Sequence, residues 1–286
     1  MSMADTLKIS TFPDTKYASS DQKIPLVMIH GWGLNSAVWQ PLIDSLPENF
    51  TDIFNIITID LPGFGVNVNQ DISPYSIENI CQYINRTIAK PAVYLGWSLG
   101  GVVTTEMALA YPDKVLALVT VASSPRFLEE AAEQQSHKEM WPGIKLSVLD
   151  SFHQQLHVDT KKTISGFLKI QAMGSPHIRK DIKQISDLVF QHQMASKLTL
   201  DRSLNLLESS DYRARLKDIS QPFMRMYGDA DSLVPKKVID KISELAKSSE
   251  FHIFSKASHA PFISHTDDFK QILLTWLIQK AKANFT

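Results

Sequence analysis

Ala92-Val93-Tyr94-Leu95-Gly96-Trp97-Ser98-Leu99-Gly100-Gly101 is the stretch that decides how this chain folds. Its first four residues form a short apolar run, as a buried strand requires, while the run from Leu99 to Tyr111 reads as a helix that Pro112 ends. Between them stands Gly96-x-Ser98-x-Gly100. A serine at such a junction sits on a tight strand-to-helix turn, with small residues two positions away on either side so that backbones can approach. The hydroxyl is pushed into the open, and the helix that follows aims N–H groups at any negative charge developing beside it. Ser98 is therefore the candidate nucleophile.

Outward from this stretch, short apolar runs alternate with longer helical patterns. Residues 26–29, 56–59, 116–121, 223–227 and 251–254 read as further strands, and nearly continuous apolar runs of this length suit a parallel sheet covered on both faces. Residues 76–89 read as a helix, and Phe269, Ile272, Leu273, Trp276 and Leu277 recur at helical spacing near the C-terminus. The alternation predicts an α/β core, a doubly wound and mostly parallel sheet. It breaks between residues 126 and 215, where helix-like segments replace strands. The predicted organisation is a core of residues 1–125 and 216–286 with a helical lid of residues 126–215 over the carboxyl ends of the strands, where open α/β sheets place their ligands.

A serine needs a base, and chain order says where to look: an acid after a later strand, then a histidine near the C-terminus. The run 223–227 is followed by Gly228-Asp229-Ala230-Asp231, and the run 251–254 by Ser255-Lys256-Ala257-Ser258-His259. His259 would take the Ser98 proton and return it to the leaving group, with Asp231 orienting the ring. Asp229 competes with Asp231 on spacing; Asp231 is favoured because it lies further into the loop, leaving Asp229 as a turn former. The predicted oxyanion donors are the N–H of Leu99 and, from the loop His30-Gly31-Trp32-Gly33 after the first central strand, the N–H of Trp32. The Trp32 indole could also wall an acyl site. His30 reads as a residue that locks its loop, and Asp60 as part of a turn at the rim. Ser98, Asp231 and His259 in this order on this alternation define an α/β-hydrolase fold.

Composition narrows the remaining classes. The 286 residues carry 29 Lys plus Arg against 30 Asp plus Glu, a formal net charge of −1 that gives no global bias toward nucleic acid. The one cysteine, Cys81, excludes an intrachain disulfide, and its place in the pattern Ile77, Ile80, Cys81, Ile84 marks a buried thiol. No signal-like or membrane-length apolar segment is evident, so a cytoplasmic protein without a membrane or nucleic-acid partner is expected. A monomer is expected too. Neither a zinc pattern, a calcium loop, a phosphate loop nor a dinucleotide fingerprint occurs, so no metal and no cofactor are predicted.

One local charge stands out against this neutral background. Lys161, Lys162, Lys169, Arg179, Lys180 and Lys183 face a single acid, Asp181, a segment of +5 that could steer an acidic partner. The alternative is a solvated helix face balanced by acids such as Asp150 and Asp187. Phe152, Phe167, Leu168, Ile170 and Met173 lie nearby and could line an apolar tunnel or simply form lid core.

Five segments resemble one family. They are His30-Gly31-Trp32-Gly33-Leu34-Asn35, Gly96-Trp97-Ser98-Leu99-Gly100-Gly101, Val119-Thr120-Val121-Ala122-Ser123-Ser124-Pro125, Trp141-Pro142-Gly143-Ile144-Lys145 and Ser258-His259-Ala260-Pro261-Phe262-Ile263-Ser264-His265. Together they are similar to the pimeloyl-[acyl-carrier protein] methyl ester esterases of biotin biosynthesis, and the likeness extends into the lid. The resemblance implies a serine carboxylesterase that releases methanol from the methyl ester of pimeloyl-acyl carrier protein. It implies substrate contacts at Trp32, Ser98, Leu99 and His259 and along Phe167-Leu168-Lys169-Ile170-Gln171, and carrier-protein contacts at Lys162, Arg179 and Lys183. The chain departs from that pattern at Gly166, where a further arginine is expected, and at two of the three carrier positions, which are lysine where arginine is expected. Lysine keeps the charge and loses the bidentate fork.

Overall fold

Seven strands form one sheet in the order β1-β3-β2-β4-β5-β6-β7. They are β1 (Ile9–Phe12), β2 (Ile24–Ile29), β3 (Phe54–Ile59), β4 (Ala92–Trp97), β5 (Val115–Val121), β6 (Phe223–Gly228) and β7 (Glu250–Phe254). The computed structural model describes residues 6–12, 23–131, 140–172 and 177–284; Met173 lies outside them. Only β1 runs antiparallel, pairing Ile9 with Ile59 at the edge, and every other pairing is parallel. This is the doubly wound sheet that the apolar runs predict. Every residue of β3 and β4 is buried, as strands covered on both faces must be.

The helices are α1 (Gln40–Ser45), α2 (Phe50–Ile53), α3 (Ile77–Thr87), α4 (Leu99–Ala110), α5 (Leu146–Val158), α6 (Thr160–Ala172), α7 (Ile178–Val189), α8 (Lys197–Ser209), α9 (Lys237–Leu245), α10 (Pro261–Ser264) and α11 (Thr266–Asn284). Ser76 caps α3 by accepting from the Asn79 N–H, and Ile77, Ile80, Cys81 and Ile84 form its buried stripe. Burial pushes the Cys81 thiol pKa up, and the thiol donates to the Val103 carbonyl, as expected of a packed and unreactive cysteine. Nearly every residue of α4 is buried, because this helix runs between the sheet and its neighbours.

The strand order positions the site. From β2 the chain moves outward to β3, then crosses back over β2 to β4 and proceeds in the other direction to β7. The switch therefore falls between β2 and β4, paired from Leu26–Val93 to Ile29–Gly96. The carboxyl ends of the strands at such a switch are where open α/β sheets place their ligands. The loops leaving β2 and β4 begin at His30 and Ser98.

Between β5 and β6 the chain forms α5 to α8. They pack by apolar faces at helical spacing: Thr163, Ile164, Phe167, Leu168 and Gln171 are the buried stripe of α6, and Asp181, Ile185 and Val189 that of α7.

Candidate active site

The sharp turn after β4 is built by exclusion of side chains. A Cβ on Gly96 would collide with the Gly100 carbonyl, and one on Gly100 would collide with the carbonyl oxygens of Ile29 and His30. Two glycines thus let α4 sit directly on the ends of β4 and β2. Ser98 between them adopts φ 54°, ψ −116°, a left-handed conformation that costs a non-glycine residue on the order of 1–3 kcal/mol. Its neighbours hold it there: the Ser98 N–H donates to the Val121 carbonyl at 2.9 Å, and the Ser98 carbonyl accepts from the Ser123 hydroxyl at 2.9 Å.

His259 arrives on the loop after β7 and is fully buried. Its Nδ1 lies 2.8 Å from Asp231 Oδ2. The other Asp231 oxygen, Oδ1, accepts from the Leu233 N–H at 2.8 Å and the Val234 N–H at 3.1 Å. Two backbone donors on one oxygen orient the carboxylate, so its partner oxygen faces the ring and the ring carries its proton on Nδ1. His259 Nε2 is then the basic nitrogen, and it is buried without a hydrogen-bond partner among the described residues. Trp97 ties this loop to the nucleophile: its indole N–H donates to the His259 carbonyl at 2.8 Å, and its ring lies 5.8 Å from the imidazole. Asp229 does not join them; its carboxylate accepts from the Lys256 N–H at 2.6 Å and closes the turn between the β6 and β7 loops.

The loop after β2 lies against the nucleophile, since a Cβ on Gly31 would stand 3.2 Å from Ser98 Cβ. His30 is fully buried, with Nδ1 2.8 Å from the Gly31 carbonyl and Nε2 accepting from the Leu61 N–H at 3.0 Å. Burial holds its pKa below the ordinary imidazole range, and the nearby Asp60 charge opposes that shift. Both ring nitrogens are occupied, which leaves His30 a structural pin. Asp60 is occupied as well, accepting from the Ser36 N–H at 2.6 Å and the Val66 N–H at 2.8 Å. Leu99 opens α4, where a helix leaves its first N–H groups without intrahelical acceptors.

Trp32 is fully buried beneath the helical segment, 4.8 Å from the Phe167 ring and 6.2 Å from Phe152. Phe167, Leu168 and Gln171 are buried with it, and Ile170 is half-buried. Lys169 is exposed, because 100° per residue carries it off the stripe that holds Phe167, Leu168 and Gln171. Both polar atoms of the Gln171 carboxamide are buried without a partner among the described residues. Lys162, Arg179 and Lys183 are exposed on α6 and α7, and Lys183 pairs with Asp187 at 2.5 Å. The structure therefore separates these two sets, apolar and inward against basic and outward, on the same pair of helices. Gly166 is surrounded by open space.

Residues 24–266 match the alpha/beta hydrolase fold family. A pimeloyl-[acyl-carrier protein] methyl ester esterase of Photobacterium profundum is 44% identical over 257 residues, covering 90% of this chain and 96% of that protein. One from Citrobacter koseri is 41% identical over 249 residues, 87% of this chain and 92% of that protein. The chain belongs to this esterase family. Solved structures agree on the fold: an esterase from Exiguobacterium antarcticum superposes with a TM-score of 0.77 at 19% identity, covering 94% of each chain. A bromoperoxidase from Bacillus anthracis does so with a TM-score of 0.72 at 19% identity, covering 89% of this chain and 92% of that one. An esterase and a peroxidase share the architecture, so the fold alone does not select the chemistry.

Three residues of this site carry no local signal of their own. Trp97 stands inside the nucleophile motif and its bond to His259 spans 162 residues. Ser123 follows β5 and supports the elbow; Ser258 precedes His259. A serine in a loop is unremarkable until the fold brings its partner to it.

Proposed function

We propose that this chain hydrolyses the methyl ester of pimeloyl-acyl carrier protein to the ω-carboxylate and methanol, in biotin biosynthesis. Ser98 is the nucleophile, His259 the base, Asp231 its orienting acid, and the N–H groups of Trp32 and Leu99 the oxyanion donors. The observation that carries this reading is identity above 40% to named esterases along nearly the whole chain, joined to a His259–Asp231 pair at 2.8 Å beside the Ser98 elbow.

The reaction runs in two halves. His259 Nε2 takes the Ser98 proton as Oγ bonds to the ester carbonyl carbon, and the oxyanion is held by two N–H groups; one such donor is worth roughly 10²–10³ in rate. The imidazolium, stabilised by Asp231, then gives its proton to methoxide, which leaves as methanol. Water, deprotonated by His259, attacks the pimeloyl-serine ester; the proton returns to Ser98 Oγ and the acid departs ionised. No group outside the chain is required, so neither metal nor cofactor takes part in this scheme.

Residues 126–215 act as the lid. Phe167, Leu168, Ile170 and the carboxamide of Gln171 line the acyl path beside Trp32, while Lys162, Arg179 and Lys183 meet the acidic carrier. The same substrate contains a thioester that water could also cleave. Placement protects it: the lid holds the distal methyl ester at Ser98 and leaves the thioester up the channel. The chain works as a cytoplasmic monomer on this reading; among the described residues no helix is long and apolar enough to cross a membrane.

The test compares kcat/KM for the methyl ester on its carrier with that for the same acyl group on free pantetheine. The proposal expects the carrier form to be preferred, and more so at low salt. Equal turnover of both would make the chain a broad carboxylesterase using the same triad.

A further inference from the structure

His259 is held from two directions. On the core side its carbonyl accepts from the Trp97 indole and its Nδ1 faces Asp231. On the other side its own N–H donates to the Gln171 carbonyl at 3.1 Å, and the preceding Ser258 hydroxyl donates to the same oxygen at 2.6 Å. Gln171 is in the last turn of α6, whose final carbonyls have no intrahelical donors and therefore accept from elsewhere. Ser258, His259 and Gln171 are all at most 2% exposed, so no water replaces these bonds while α6 is seated.

The arrangement recurs at the other catalytic loop. The Trp32 indole donates to the Leu200 carbonyl of α8 at 3.0 Å, and the Asn35 carboxamide donates to the Val189 carbonyl of α7 at 3.0 Å. Each of the three helices thus offers one main-chain oxygen to a loop that carries a catalytic group.

We propose that Ser258 is a positioning residue: with the His259 N–H it fastens the catalytic base to the end of α6, so that the base is aligned for Ser98 only when the helical segment is seated on the core. The proton relay is thereby coupled to the presence of an ordered lid. A substrate that seats α6 switches on its own hydrolysis, and an unseated lid leaves His259 with only its core contacts. This inference rests on His259 acting as the base for Ser98; it does not depend on which acyl carrier is served.

The experiment measures kcat and KM of Ser258→Ala and Ser258→Thr on a small chromogenic acetate ester, which needs no lid contact for binding, together with the low-field proton resonance of the His259 Nδ1–H. Ser98→Ala and His259→Ala serve as controls. The expected result for Ser258→Ala is a roughly tenfold lower kcat at unchanged KM, with the resonance broadened by motion of the ring. Ser258→Thr, which keeps the hydroxyl, should recover most of the rate. A Ser258→Ala enzyme within twofold of wild type with an unaltered resonance overturns the proposal, and so does an equal loss in both variants, since side-chain volume and not the hydroxyl would then matter. Inactive controls beside an unaffected Ser258→Ala enzyme would sink this inference alone. Activity surviving in His259→Ala would sink the triad itself.

Discussion

The nucleophile elbow and the outer face of α6 differ in what their glycines would meet. Gly96 and Gly100 stand where a methyl group would strike backbone carbonyls, whereas Gly166, on α6, has nothing within 4 Å of the Cβ it lacks. The elbow is fixed by main-chain contact and tolerates no addition; the outer face of the helical segment is open. The nucleophile's geometry is therefore set by the core, while the charge presented to a partner can change without disturbing a packed atom. On the proposed reading, chemistry lies on the rigid side and selectivity for the carrier on the permissive side.

The largest effect expected on the rigid side is that of Asp231→Asn. The amide cannot accept from Nδ1–H and from two backbone N–H groups as the carboxylate does, so the wrong imidazole tautomer is favoured. By analogy with serine-protease triads kcat should fall about 10⁴-fold with little change in KM. Stopped assays on small and carrier-bound esters should show the same loss. A loss confined to one substrate would mean that Asp231 serves binding instead.

Next comes Gly100→Ala, which forces a methyl group against the Ile29 and His30 carbonyls. Overpacking of a buried site costs about 1–3 kcal/mol, and backbone contacts cannot rotate away, so the upper end is expected in urea unfolding. Gly166→Ala should leave the unfolding midpoint nearly unchanged or raised, as a helical glycine with open space at its Cβ position gains up to ~1 kcal/mol when replaced by alanine. Equal sensitivity at the two positions would erase the contrast.

On the permissive side, replacing Lys162, Arg179 and Lys183 together by glutamine should lower kcat/KM for the carrier-bound ester about tenfold at low ionic strength. The difference should shrink at high salt, because contacts between exposed charges are screened within roughly 10 Å at 0.1 M. Small esters should be unaffected. Gly166→Arg should move the carrier rate upward by a few fold; a carrier rate indifferent to both variants would remove α6 and α7 from the recognition surface.

A further expected effect is one of pH, and it belongs to the core. Burial lowers the pKa of His30 in the fold below its unfolded value, so the unfolded chain takes up the proton first. The stability contributed by neutral His30 is complete above about pH 6.5 and is lost as pH falls toward the folded pKa, by up to ~1.4 kcal/mol per pH unit. Urea titrations across this window should reveal the slope, and His30→Gln should flatten it. A slope that persists unchanged in His30→Gln would assign it elsewhere.

Much of this was legible in the sequence, for reasons that differ by element. The buried strands announced themselves because a parallel sheet needs unbroken apolar runs, and the serine because its glycines are forced. The edge strand β1 did not, since Ile9-Ser10-Thr11-Phe12 is only half-buried and carries no such run. Nor did the start of β2: Pro25 hides it, tolerated because at that level only β3 pairs with the strand and β4 joins at Leu26. Asp231 and Asp229 could be ranked by loop position but were distinguished physically by their partners, His259 for one and the Lys256 N–H for the other. The Ser258–Gln171 bond spans 87 residues, and no local pattern encodes a contact of that kind.

On the proposed reading, one ester is cleaved through Ser98 while a second, more labile acyl bond in the same molecule survives. The direct measurement is intact-mass analysis of pimeloyl-carrier methyl ester after incubation with wild type and with Ser98→Ala. The expected product is a carrier that has exchanged its methyl group for a proton and still holds the acyl chain, with no conversion by Ser98→Ala. Release of bare carrier, or conversion that persists in Ser98→Ala, would contradict it.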